Sequence, residues 1–307
     1  MSLFLDLRAV PTGGVPVANA DDIQVLRYPS NPQGPIDPNA PPLQCNLTDL
    51  RQAIDGKDVL LVAHGFNWGM AFGLERLSAW EPWLQLPGTA AMVGVLWPGD
   101  SSWAHGLDYP TEDNVGKNCG GLLAQYVNKN FTSIADLSLA SHSLGARVVL
   151  ETVRNLDSQL LPVRQLILMA GAINDDCLTA DYSSTADNIG RITVLRSMQD
   201  DVLEWLFPLG NPIAGIFDHT HPYFRGALGR YGPKVPRANA AASAPMPPGW
   251  KYGHSSYVTS NWPPPAGQSG NFPVNGLFPS AQAPAPSLAA NWQQAWMAAY
   301  VSARLRG

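Results

Sequence analysis

At 307 residues the chain is long enough for one large domain with a sizeable core. Only 14% of its residues are charged, its net charge is −5, and its 19 lysines and arginines are scattered singly, which excludes the basic stripe of a nucleic-acid-binding protein. Its three cysteines, Cys45, Cys119 and Cys177, lie far apart without C-x-x-C spacing, which excludes a complete disulfide framework and predicts free thiols.

In chain order, residues 3–10 and 22–28 alternate enough to predict two strands. The turn-rich pieces around them, including 29–42, predict an antiparallel edge. Asp6 and Arg8 interrupt the apolar run a signal peptide requires, and no stretch reaches the roughly 18 apolar residues of a membrane span. The expected location is therefore cytoplasmic, with secretion the alternative if a leader has been removed.

From residue 58 the pattern changes. The runs 58–63, 90–97, 137–140, 165–170 and 191–196 are apolar without alternation, as strands buried on both faces are. Helix-length segments separate them, with helices predicted over 71–83 and 114–127. Five such strands in alternation with helices predict an α/β fold, a doubly wound, mostly parallel sheet in a single domain. From about residue 207 to 286 the alternation stops in a stretch rich in Pro, Gly, Ala, Trp and Tyr, expected either as a lid over the active edge or as coil wrapped on the surface. A packing helix is predicted over 287–305.

The third buried run ends in Ser141-His142-Ser143-Leu144-Gly145 and passes into a helical pattern with Leu144, Val148, Val149 and Val153 on one side. This is a strand turning sharply into a helix with Ser143 at the apex, where the side chain is forced outward and the next N–H faces whatever the serine attacks. Ser141 stands where G-x-S-x-G has its first glycine. The alternative for Ser143 is an ordinary helix cap. A serine hydroxyl needs a base to take its proton, and the base needs a third group to hold it. The acids at later strand ends are Asp200 and Asp201, and before them Asp175 and Asp176; the later histidines are His219, His221 and His254. The turn His64-Gly65-Phe66 after the first buried run supplies Phe66 N–H, which with Leu144 N–H makes the expected oxyanion hole. His64 and His142 flank these turns and are expected to bond backbone there. Trp68, Trp97 and Trp103 follow strand ends and are candidates for the substrate pocket, with core packing as the alternative. Asp218-His219-Thr220-His221 has a spacing a metal could use but lacks a further ligand cluster, so no metal is expected.

Val62-Ala-His-Gly-Phe66, Gly94-Val-Leu-Trp-Pro98, Ser141-His-Ser-Leu-Gly145, Ser197-Met-Gln-Asp-Asp-Val-Leu203 and Gly253-His-Ser-Ser-Tyr257 together resemble the α/β-hydrolase superfamily of serine esterases and lipases, and are similar to a little-characterised bacterial branch of it. The resemblance favours Asp200, followed by Leu203, as the acid and selects His254 as the base. It implies a carboxylesterase with the triad Ser143, Asp200 and His254, working through an acyl-enzyme on a small ester and needing no cofactor. A lipase, thioesterase, amidase or acyltransferase on the same fold, or a catalytically silent binding protein, are the alternatives. Neither the natural ester nor an oligomeric state follows from the sequence.

Overall fold

A computed structural model describes residues 2–10, 14–29, 36–84, 86–100, 109–205, 207, 226–240, 242–245 and 253–257. Trp103, Asp218, His219, His221, most of 207–286 and the helix expected over 287–305 lie outside them.

The chain begins with β1 (Ser2–Asp6) and β2 (Gln24–Tyr28), paired antiparallel with Ser2 opposite Tyr28 and Asp6 opposite Gln24. The expected antiparallel edge is present, and β2 is its outer strand. Five buried runs become β3 (Asp58–Ala63), β4 (Ala90–Leu96), β5 (Asp136–His142), β6 (Val163–Met169) and β7 (Ile189–Arg196). With β1, β2 and β8 (Ala242–Pro245) they form one eight-stranded sheet in the order β2-β1-β4-β3-β5-β6-β7-β8, parallel throughout except for β1 with β2. The apolar runs work as central strands because α2 (Met70–Leu84), α3 (Tyr109–Asn130) and α4 (Gly145–Asn155) cover the sheet, so side chains of both parities are buried. The result is a doubly wound, mostly parallel α/β sheet.

Among the elements not expected from the sequence are a helix before β3 and a last strand. α1 (Leu47–Ile54) precedes β3 and opens on a reciprocal cap. Asn46 Oδ1 accepts from the Thr48 and Asp49 N–H groups at 2.8 and 3.1 Å, and the Asp49 carboxylate accepts from Asn46 N–H at 2.9 Å. β8 lies inside the stretch where alternation stops, and pairs Thr193 with Ala242 through Arg196 with Pro245. Ala-Ser-Ala-Pro has little strand propensity of its own, and the open edge of β7 is what makes it a strand.

The winding direction positions the site. From β3 the chain moves to β4 on one side, then crosses back to β5 on the other and continues outward to β8. Loops leaving the carboxyl ends of β3 and β5 therefore diverge, and the crevice between them is where a doubly wound sheet can hold a ligand. Register keeps those ends level: Ala63 pairs with both Val95 and Ser141, and His142 pairs with Met169. Among the described residues no helix is long and apolar enough to cross a membrane. Cys45, Cys119 and Cys177 form no disulfide.

Candidate active site

β5 ends at His142, and α4 starts at Gly145, leaving two residues to reverse direction. Ser143 does so with φ +54°, a left-handed conformation that an L residue enters at a cost of about 1–3 kcal/mol. Three bonds hold it there: Ser143 N–H donates to the Met169 carbonyl at 3.0 Å, and the Ser143 carbonyl accepts from Ala146 and Ala172 N–H, each at 3.1 Å. Gly145 is required at the start of the helix, since a Cβ there would lie 2.4 Å from the His64 carbonyl oxygen and 2.9 Å from that of Ala63. Ser141, at the other small position, is fully buried within β5. Ser143 is no helix cap; Leu144 occupies that position, without a side-chain bond.

The hydroxyl of Ser143 meets His254. The two are 111 residues apart in sequence, and Ser143 Oγ lies 2.7 Å from His254 Nε2. The other ring nitrogen, Nδ1, is 2.8 Å from Asp200 Oδ2. A carboxylate can only accept, so Nδ1 carries the proton and the Nε2 lone pair faces the serine. Asp200 follows β7, is fully buried, and is held from behind: its Oδ1 accepts Leu203 N–H at 2.9 Å, and its carbonyl accepts from Arg230 at 2.8 Å. Of the acids weighed from the sequence, Asp200 meets the imidazole of His254.

His254 sits in a short turn, Gly253–Tyr257, whose Tyr257 is fully buried. Its backbone is anchored by His142, the residue before Ser143. His142 Nε2–H donates to the His254 carbonyl at 2.8 Å. Burial, and then the neighbouring His254, push the His142 pKa down to about 3, so its ring is neutral at ordinary pH. His64 is likewise neutral, its pKa lowered to about 3 chiefly by burial. Its Nδ1–H donates to the Gly65 carbonyl at 2.8 Å and its Nε2 accepts Trp97 N–H at 3.2 Å. Both histidines thus bond backbone, as expected.

Phe66 and Leu144 each lie three residues past Ala63 and Ser141, the last position at which β3 and β5 pair with each other. Gly65 lets the two turns touch, because a Cβ on it would lie 3.0 Å from Ser143 Cβ and 2.7 Å from His142 Nδ1. Among the described residues neither Phe66 N–H nor Leu144 N–H has an acceptor.

The tryptophans behave differently from pocket walls. Trp97 is 0% exposed and its Nε1–H donates to the His64 carbonyl at 2.8 Å, so it presents no surface to a substrate. The expectation that it lines the pocket is corrected to core packing. Trp68 is 8% exposed and lies between His64 and His142, with ring centroids 5.9 and 5.3 Å away. A chain of ring contacts, Trp97–His64–Trp68–His142–His254, therefore leads to the candidate base. Large flat side chains after strand ends suit either task, and only their placement decides.

A family model described as "Alpha/beta hydrolase of unknown function (DUF900)" matches residues 43–209. The chain belongs to this α/β-hydrolase family. The matched segment contains Phe66, Ser143, Leu144 and Asp200 but ends before His254, and β1 and β2 precede it. No curated protein matches the chain. Among solved structures, this α/β-hydrolase is similar to the crystal structure of Aspergillus fumigatus lipase B, with a TM-score of 0.24 and 10% identity over 48% of this chain. The chain spans 34% of that protein, and the likeness carries no argument about activity.

Proposed function

We propose that this α/β-hydrolase cleaves carboxylic esters by acyl transfer to Ser143 and then to water. The observation that carries the reading is the unbroken hydrogen-bond chain Ser143 Oγ–His254–Asp200, with 2.7 and 2.8 Å links. Ser143 Oγ attacks the ester carbonyl carbon while His254 Nε2 takes the hydroxyl proton. The carbonyl oxygen becomes an anion facing the N–H groups of Phe66 and Leu144, which are rigidly held and need not reorganise. His254 returns the proton to the leaving alcohol, and an acyl-serine remains. Water then attacks the acyl carbon and gives a proton to His254, which passes it to Ser143 Oγ as the acyl–serine bond breaks and the acid departs.

Two features of the surroundings support the base. The buried carboxylate of Asp200 fixes the tautomer and faces the positive charge that forms on His254. His142, whose ring centre is 5.0 Å from that of His254, adds no competing charge because burial keeps it neutral. Two like charges at that separation would repel by about 3 kcal/mol at an effective dielectric constant of 20.

The test is turnover of short-chain p-nitrophenyl esters together with labelling by a fluorophosphonate. A burst of p-nitrophenol and a stoichiometric label, both abolished by Ser143→Ala, are expected. A folded wild-type protein that shows neither is a binding protein on a hydrolase fold. An acyl chain-length series run on the same protein separates esterase from lipase.

A further inference from the structure

Behind the Phe66 turn lies a buried cation that the triad does not touch. Arg8 stands two residues past β1 and is 3% exposed. One terminal nitrogen, Nη2, donates to the Trp68 carbonyl at 2.8 Å, and the other, Nη1, donates to the Asp100 carboxylate. The Arg8 backbone is itself fixed, its N–H bonded to Asp6 Oδ1 at 3.1 Å and its strand bridged to Pro16. One guanidinium thus ties the ends of β1, β3 and β4 together. Its Nε–H is buried and has no acceptor among the described residues. Burying a charge this way is costly, and an apolar contact would join three loops at lower cost.

What the guanidinium secures is the backbone that carries a candidate oxyanion donor. Trp68 is two residues past Phe66. Between them Asn67 adopts φ +60°, and its N–H donates to the Gly99 carbonyl at 2.5 Å. Asp100 in turn abuts the next residue, with its Oδ2 3.2 Å from where a Cβ on Gly69 would stand. The segment 66–69 is therefore pinned by the Arg8–Asp100 pair, and the residue just before it, Gly65, lies against Ser143. A planar fork reaching two acceptors in fixed directions sets orientation as well as distance, which a lysine ammonium cannot do.

We infer that Arg8 is a positioning residue of the oxyanion hole, holding Phe66 N–H at donor distance from the charge that develops on the ester carbonyl oxygen. This rests on the ester-hydrolase reading above. It also assigns a task to the N-terminal strand, which lies outside the segment the family model matches.

The experiment compares wild type, Arg8→Lys and Asp100→Asn, each checked for a cooperative thermal melt. It uses a short-chain p-nitrophenyl ester and a short-chain alkyl trifluoromethyl ketone. The ketone forms a hemiketal in which Ser143 Oγ bonds the carbonyl carbon, its proton passes to His254, and the ketone oxygen becomes the anion in the hole. A donor misplaced by about 1 Å costs on the order of 10²-fold. Arg8→Lys is therefore expected to lower kcat about 10- to 100-fold with KM within about threefold, and to raise the ketone Ki by the same factor. Asp100→Asn keeps the shape and one acceptor, and is expected to give a smaller change of the same kind. It decides the matter alone if Arg8→Lys does not fold. An active wild type with variants whose ketone Ki is unchanged, or whose KM alone rises, overturns the role of Arg8 and leaves the hydrolase reading standing. A wild type without turnover or fluorophosphonate labelling overturns both.

Discussion

Replacing His142 by asparagine tests the buried, neutral state of the ring that anchors His254. In the folded protein the His142 pKa is lowered to about 3, with burial the first cause and His254 the second. In the unfolded chain it has its ordinary value of 6.5. Between those values the unfolded state binds a proton that the folded state does not, so stability is fully present above pH 6.5 and is lost as pH falls toward 3. The loss is about 1.4 kcal/mol per pH unit, or about 2 kcal/mol for this residue at pH 5. Asparagine has no such proton. At pH 8 the wild type is expected to be the more stable, because His142→Asn breaks the bond to the His254 carbonyl and the stacking on Trp68. As pH falls from 8 to 5 the gap should close by about 2 kcal/mol, roughly 3 °C in melting temperature for a chain of this size. His64 titrates in the same direction in both proteins and cancels from the difference. Melts of the two proteins followed by circular dichroism from pH 8 to pH 5 supply the measurement. A gap that stays constant with pH would mean that folded His142 takes a proton as readily as unfolded, and would refute the reasoning.

Three more substitutions probe the rest of the site. Asp200→Asn offers an amide where the carboxylate stood, so Nδ1 can accept and the proton moves to Nε2, facing the serine; kcat for ester turnover should drop on the order of 10⁴-fold while the melting temperature changes little by comparison. Gly65→Ala places a Cβ 2.7 Å from His142 Nδ1 and 3.0 Å from Ser143 Cβ, and the two turns must part; a fall of about 10²-fold in kcat is expected, read by the rate of fluorophosphonate labelling. Asp6 is pushed up by burial from its ordinary 3.8 to about 6, against the pull of Arg8. Its carboxylate form is therefore disfavoured on folding, and the stability present below pH 3.8 is lost as pH rises through 6. Asp6→Asn should accordingly melt higher than wild type at pH 8, by up to about 3 kcal/mol, and lose that advantage near pH 4; equal melting curves at pH 8 would count against it.

The parts of this molecule that were legible in its sequence share a physical cause. β3 to β7 could be read because a strand covered by helices on both faces must be apolar at every position. The Ser143 turn could be read because close approach of β3 to α4 demands a residue as small as Gly145. Serine, acid and histidine fell in the order that strand ends on one edge allow, and Asp200 and His254 meet where that order places them. What escaped depends on partners that leave no mark on the local sequence. α1 is the exception, since Asn46 and Asp49 carry its cap openly in a turn-rich neighbourhood. β8 has no apolar pattern and takes its form from the edge of β7. The tasks of His142, Trp97 and Arg8 are each completed by a backbone carbonyl distant in sequence: that of His254, of His64 and of Trp68. Every residue offers the same carbonyl, so the receiving end of such a bond has no side-chain signature, and only the donor's burial betrays it. For this chain that makes buried donors at strand ends, rather than further nucleophile motifs, the positions where function can be lost without any change in the triad.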